Sequence, residues 1–517
     1  MRKPLRQLTR RQVSTTDSMP APIGGWNARD PLADMKETDA ILLENWFPTP
    51  SDVQFRKGYL AHATGLGSQV QSLLVYNSPT TEKIFGCAGA NIYNVTAAGA
   101  VGAAVVAALT SAKWQYVNIR TSGGSFLLAA NGADSILNYD GTTWVSVTGI
   151  SAHAITGVTT SNIINIHTHM RRVWLVEKDT LKVWYMGIDS MSGAATAFDL
   201  GPLFKLGGYL VAMESWTIDA GVGMDDHAVF ITSKGEVAVY KGVDPAAAAT
   251  WALVGVYRVG EPIGRRCFVK VAGDLAVITK DGVFPMAKAL YSDQQNDAIA
   301  ITDKIRNAFS KASATYGTNF GWEGVLYPNA NMLLFNIPVS EGDLQEQYVM
   351  NTISGSWGKF TGWYGNCWAL SNGAIYYGGN GIVNKAWYGD DDNGSNITAK
   401  AKTAFNYNKT KNIKHYSMAR PVFTVTGTPG ILLGINTDFE DQEPTGTPTF
   451  ATPAATGTWG TSVWGAFTYT GGERTLKDWQ SIQGEGYCAA LRLKCVAKDM
   501  DVRWTSTDIV FENGGVL

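Results

Sequence analysis

Apolar residues in this chain fall in short β-branched or aromatic runs broken by Gly, Asn or Asp, the spacing of antiparallel hairpins rather than helices. Ile84-Phe85-Gly86-Cys87 turns at Gly89 into Ile92-Tyr93, and Phe126-Leu127-Leu128 turns at Asn131-Gly132 into Ile136-Leu137 and Tyr139. Val173 to Val176 turns near Asp179 into Val183-Trp184-Tyr185, Val229-Phe230-Ile231 at Lys234-Gly235 into Val237 to Tyr240, and Leu275 to Ile278 at Asp281-Gly282 into Val283-Phe284. Two looser copies follow, Val325-Leu326-Tyr327 around Asn329 into Met332 to Phe335, and Cys367 to Leu370 at Asn372-Gly373 into Ile375-Tyr376-Tyr377. Turn centres at 89, 132, 179, 235, 282, 329 and 373 lie about 43 to 56 residues apart, the repeat of a four-stranded propeller blade. Sheets of that size bury both faces only by stacking on one another.

The expected fold is therefore all-β: a β-propeller of six or seven blades over 66–395, with a long array of β-sandwiches as the other architecture of this period. One stretch breaks the pattern, since Thr302-Asp303 caps a helix carrying Ile305, Ala308 and Phe309 on one side, an insertion near 302–311. After the acidic tract Asp390 to Asp392 the repeat stops. Residues 396–517 read as a C-terminal β-sandwich-like domain, with strands at Val422 to Val425, Gly430 to Leu433, Ala489 to Val496 and Val502 onward to Val510. Glu443 to Thr458, dense in Pro, Thr, Gly and Ala, reads as a long exposed loop.

Composition sharpens this picture. Gly 56 of 517 residues and 17% charged residues suit a turn-rich β protein, and 45% hydrophobic residues exclude disorder throughout. The balance of 42 Lys+Arg against 44 Asp+Glu argues against a surface built wholly to hold nucleic acid, while leaving room for a locally charged channel. Five scattered cysteines without Cys-x-x-Cys suggest neither a disulfide framework nor a zinc knuckle. The 1–18 arm carries Arg2, Lys3, Arg6, Arg10 and Arg11 with no apolar run behind them, unlike a secretory signal. It reads either as a disordered leader or as an arm that orders against a neighbouring subunit. Ala97 to Leu109 is too short to cross a bilayer, so no membrane span is expected.

Catalytic signatures are scarce. Gly-x-Ser-x-Gly, a phosphate-binding glycine loop with Lys-Ser/Thr, and His-Glu-x-x-His are all absent, and no catalytic, cofactor-binding or metal residue is assigned. His167 and His169 share one face of a strand, as metal ligands do, but read more simply as half-exposed strand residues. Asp390 to Asp392 opens like a calcium loop and then lacks its fifth and twelfth ligands. Among 17 tryptophans, Trp357, Trp363, Trp368, Trp459 and Trp464 suit either packing or aromatic platforms for sugar rings and subunit interfaces.

The most specific stretch is 19–65, read as an extended strap. It contains Pro22-Ile23-Gly24-Gly25-Trp26-Asn27-Ala28-Arg29-Asp30-Pro31, then Asn45-Trp46-Phe47-Pro48, Val53, Arg56 and Gly58-Tyr59. Glycines and prolines hold it extended, Asp39 to Asn45 suit a short helical turn, and Arg29 has Asp30 and Asp34 within reach. This motif resembles the opening of tail nozzle or tail hub proteins of short-tailed bacteriophages, a group related to the phage DNA-stabilisation tail proteins. The resemblance extends by architecture over most of the chain, but its specific motif is the strap, and the basic leader departs from the pattern. It implies a structural virion protein, not an enzyme, assembled in the host cytoplasm as a homohexameric ring at the distal end of the tail. Tail adaptor proteins and tail fibres or spikes would be its partners, with double-stranded DNA passing through the lumen without sequence recognition. Trp26, Arg29, Asp30, Trp46, Phe47 and Arg56 are the interface candidates, and Glu443 to Thr458 a candidate for the channel gate. The rival functions are a glycan-binding propeller for host-surface attachment and a propeller hydrolase.

Overall fold

The computed structural model describes residues 14–219, 224–271, 273–289, 300–451 and 472–514. It is all-β, 55% strand against 6% helix, so sheets alone carry the architecture. The chain divides into two compact units. One comprises 1–57, 353–359 and 389–517, and the other 58–352 and 360–388. Residues 19–57 of the strap thus fold with the C-terminal region, and 58–65 with the other unit.

In the unit of 58–352 and 360–388, antiparallel sheets follow one another along the chain. Gln115–Thr121 opens a four-stranded sheet that ends with Trp144–Val147; Ile163–His169 and Leu210–Asp219 open two more. Phe268–Val271 opens a sheet of three described strands, and Glu323–Tyr327 begins the next antiparallel set. The seventh, opened by Cys367–Ser371, is completed from the start of the unit. There Tyr59–Asn77 pairs through residues 59–69 with Asn380–Ala386, while residues 70–77 pair with Glu82–Ala88 to begin the first sheet. One 19-residue strand therefore serves the first and the last sheet.

Burial follows from that order. The second strands of the sheets are buried on both faces, and cores lie between neighbouring sheets. Leu127, Ala129 and Leu137 of the second pack with Leu74 and Phe85 of the first. Leu128 and Ile136 pack with Ile166 and Leu175 of the third, Trp174 with Phe230 of the fourth, and Ile231 with Val277 of the fifth. Ala63, Val70 and Val75 share a core with Cys367 and Val383, joining last to first.

The expected repeat is correct in kind and displaced in its later half. Turns at 89, 132, 179, 235 and 282 join second to third strands, whereas Asn329 and Asn372-Gly373 join first to second. The equivalent turns are at 341–343 and 379, and the even spacing read from sequence mixes the two. The insertion after Pro285 accounts for the displacement. Its helix runs over Arg306–Tyr316, longer than expected, behind a 3₁₀ turn Asp303–Ile305. Thr302 makes no side-chain cap; its Oγ1 accepts the Val283 amide at 3.1 Å, tying the helix start to the fifth sheet. Phe309 is buried edge-on against Trp322, with ring centres 5.8 Å apart.

The second unit has two sheets. Lys414–Val425 pairs with Val502–Asn513 along its whole length, and Val53–Phe55 joins beside Trp46–Pro48. Ser14–Pro20 runs antiparallel to the end of Val502–Asn513, from Ser14 opposite Glu512 to Pro20 opposite Ser506. The described end of the basic arm therefore docks on its own chain; residues 1–13 lie outside the described residues. In the other sheet Asp39–Glu44 lies between Gly25–Trp26 and Ile397–Thr403, followed by Ala489–Ala497 and Gly430–Thr437. Asp39 to Glu44 is thus strand, not the helical turn expected, because both its edges find ladder partners and Ala40 and Leu43 are buried.

Candidate functional site

The strap is built around close backbone approaches. Gly25 sits at φ +83°, and a Cβ there would stand 2.5 Å from the Trp357 carbonyl oxygen, so no other residue fits without displacing that strand. Ser356 Oγ donates to the Ile23 carbonyl at 2.8 Å. Asn27, 2% exposed, is used at both ends of its amide. Its Nδ2 donates to Asp30 and Asp39, each at 2.8 Å, and its Oδ1 accepts the amides of Arg29 and Asp30 at 3.0 Å. Arg29 pairs with Asp30 at 2.7 Å.

Trp46 and Phe47 are buried. Trp46 meets Phe55 edge-on at 4.7 Å and lies near Phe423 and Trp504, at 6.4 and 5.9 Å between ring centres. Arg56, 1% exposed, grips Asp392 with both terminal nitrogens, at 2.7 and 2.6 Å, while its Nε donates to Asn45 Oδ1 at 2.9 Å. Lys57 bridges Asp390 at 2.7 Å and Asp501 at 3.3 Å. Burial works to lower the Lys57 ammonium, but the two carboxylates outweigh it and hold it above its ordinary value. The acidic tract that resembles a calcium loop is therefore a clamp for strap cations. Of the six interface candidates, Trp26, Trp46, Phe47 and Arg56 lie in the interior of their own unit, and Arg29 and Asp30 are partly exposed.

A second arrangement occupies the other unit where opening strands of successive sheets converge. A cavity of about 390 Å³ is lined there by residues of every sheet, among them Leu73, Tyr116, Asn165, Met213, Phe268 and Val325. Arg266 crosses it. Its Nη1 pairs with Glu323 at 2.9 Å, its Nη2 donates to Ser72 Oγ at 2.8 Å and to the Gln71 carbonyl at 3.0 Å, and Phe320 lies 5.0 Å from the guanidinium. Burial lifts the Glu323 carboxyl above its usual range against the pull of Arg266, and pushes the Tyr116 phenol up to about 12. Arg265 enters the same cavity, donating to the Asn131 carbonyl at 3.0 Å. Sequence reasoning missed this trio because Arg266 and Glu323 lie 57 positions apart and meet only when the sheets come together.

His167 and His169 do share a strand face, where both meet Ser215 and His167 also meets Glu214 at 3.1 Å. Ser215 Oγ lies 3.1 Å from His167 Nε2 and 2.9 Å from His169 Nδ1. Burial lowers His169 to about 4, with His167 adding to the effect, and lowers His167 itself. Among the described residues no group of three or more His, Cys, Asp or Glu is placed to hold a metal ion. All five cysteines are buried thiols. Trp357, Trp363 and Trp368 are buried, at 1%, 0% and 6% exposure, and so offer no sugar platform; Trp459 and Trp464 lie outside the described residues. Of the expected loop, Glu443 pairs with Lys400 and Arg492, each at 3.0 Å, and 452–458 lie outside the described residues. No described helix is long and apolar enough to cross a membrane.

No family model matches the chain, and no curated protein matches it. Among solved structures it is similar to a quinonprotein alcohol dehydrogenase-like protein from Bacteroides thetaiotaomicron, at 12% identity and TM-score 0.33, over 61% of this chain and 68% of that one. It is also similar to Raptor of Chaetomium thermophilum, at 10% identity and TM-score 0.37, over 65% of this chain and 29% of that one.

Proposed function

We propose that this chain is a structural virion protein, the subunit of a six-membered nozzle ring at the distal end of a short phage tail. Its 58–352 and 360–388 unit is a seven-bladed propeller closed by the strand Tyr59–Asn77, and its other unit is a β-sandwich carrying the strap. The observation that carries the reading is the strap itself. The stretch that resembles nozzle proteins is spent on structure, with Gly25 at a close approach, Trp46 in a core and Arg56 in a carboxylate clamp. Such a fixed element suits a subunit that must hold its shape under a packed genome.

The axis of a single propeller is not the conduit. A cavity of about 390 Å³ lined by Arg266 has the volume of a small-ligand site rather than of a duplex channel, so DNA travels along the axis of the ring, between copies. Adaptor proteins contact the ring above, and fibres or spikes beside it. The attachment reading loses the buried Trp357, Trp363 and Trp368 as platforms. Negative-stain microscopy of the purified chain tests the proposal: six-fold rings with an axial hole are expected, and a monomer or trimer at every concentration overturns it.

A further inference from the structure

Arg265, with Lys178, stands apart from the other cations of its face. Arg266 has Glu323, Lys113 has Glu341, and Lys234 and Lys280 share Glu261 at 3.5 and 2.6 Å. Among the described residues, no carboxylate lies within ion-pair distance of Arg265, whose one protein hydrogen bond is to the Asn131 carbonyl. Its guanidinium is held over Gly132, where a Cβ would stand 3.3 Å from Nη1 and 2.7 Å from an Ile164 methyl. Glycine at 132 is required by its φ of +78° and by Ile164, and it leaves the guanidinium close packed over the turn.

Beside the cavity of about 390 Å³ it shares with Arg266, two further cavities meet at this guanidinium. One of about 540 Å³ runs past Lys178, Tyr209, Ser233, Lys234 and Lys280; another of about 410 Å³ runs past Lys113, Asn131 and Phe320. Volumes of a few hundred Å³ with a few convergent polar groups are those of small-ligand sites. The larger one is lined by four cations, Lys178, Lys234, Lys280 and Arg265, against two carboxylates, Asp179 and Glu261. The lysines come from equivalent turns of three successive sheets, so the charge is a product of the repeat. Tyr209, 42% exposed, lines the same cavity, and Ser233 adds a hydroxyl.

We propose that this face binds a saccharide bearing a carboxylate or phosphate, with Arg265 as the anchor for the anion, Lys178 at the rim and the Tyr209 ring beneath the sugar. A planar guanidinium fits either oxyanion with two parallel hydrogen bonds. An aromatic face with hydroxyl donors around it is what distinguishes a sugar from a bare anion. The assignment does not depend on the nozzle reading, since an isolated subunit already holds every residue it uses.

Calorimetry and saturation-transfer NMR on the full chain test it, with trigalacturonate, its methyl-esterified neutral counterpart, mannose 6-phosphate and inorganic phosphate as probes. Binding of trigalacturonate or of mannose 6-phosphate is expected, and which of the two separates carboxylate from phosphate as the source of the anion. The neutral ester and inorganic phosphate should bind at least about tenfold more weakly. Arg265→Gln should weaken binding at least about tenfold without lowering the melting temperature, and Tyr209→Ala severalfold. Should Arg265→Gln fail to fold, Lys178→Gln, an exposed position, should still weaken binding severalfold. Absence of binding to both charged sugars, equal binding of inorganic phosphate, or binding unchanged in the folded variants overturns the proposal.

Discussion

Arg56 and Arg266 are both deeply placed guanidiniums, one in each unit, and they are satisfied in different ways. Arg56 has a carboxylate gripped by two nitrogens, a side-chain amide oxygen and a backbone carbonyl, inside a packed strap. Arg266 has one carboxylate through one nitrogen, and spends the rest on a serine and backbone carbonyls beside an open cavity. The first is a closed lock and the second a cross-brace with room around it. Closure of hydrogen bonding thus separates an element whose work is to hold shape from one that borders space where a ligand or water is accommodated.

The largest effect should come from opening the lock. Arg56→Ala strands Asp392 and removes the Nε donor to Asn45 Oδ1, and breaking a buried pair from one side costs about 3–5 kcal/mol. Urea unfolding should show that loss, with the Asn45→Ala, Arg56→Ala double variant less than additive. A loss under 1 kcal/mol would erase the contrast with Arg266.

Arg266→Met should cost less, about 1–3 kcal/mol, because the cavity admits water to the stranded carboxylate and Glu323 has a second way to respond. Burial already raises its carboxyl above the ordinary value, and without Arg266 the rise is larger. An acid whose folded pKa is raised favours the native state in its protonated form. Its contribution is retained below the unfolded value near 4.5 and is lost as pH rises through the folded one. The difference between Arg266→Met and wild type should therefore shrink from pH 7.5 to pH 5, read from urea midpoints at each pH. A pH-independent difference would mean that Glu323 does not take the proton.

Legibility followed the range of the interactions. Hairpins were readable because their chemistry is local: Asn131-Gly132 and Lys234-Gly235 announce their own turns. Asp39 to Glu44 reads locally as a helical turn, whereas its strand state is imposed from both sides by Gly25–Trp26 and Ile397–Thr403, the latter some 360 positions away. The tryptophans of 357–368 were ambiguous for the same reason, since burial is a property of the assembled sheets. Arg56 was singled out by its motif, whereas its partner Asp392 was read as part of a calcium-like tract, and only folding shows that tract to be the counter-charge. Arg265, Arg266 and Glu323 carried no local signal at all.

The smallest effect bears on the strap's outer surface. Arg29 and Asp30 pair at 2.7 Å, but their side chains are 35% and 27% exposed, and water screens much of the attraction. The geometry of the turn belongs instead to Asn27, whose amide holds Asp30, Asp39 and two backbone N–H groups without help from the guanidinium. Arg29→Ala should therefore cost the isolated subunit about 0–1 kcal/mol, against several for Arg56→Ala, measured in the same urea series. The two arginines of one motif would then differ because one is spent inside the fold while the other keeps a partly exposed face. If Arg29→Ala leaves unfolding unchanged yet reduces the fraction of six-fold rings in micrographs, that face serves contacts between subunits. Rings formed as readily as by wild type would confine the strap's role to its own unit.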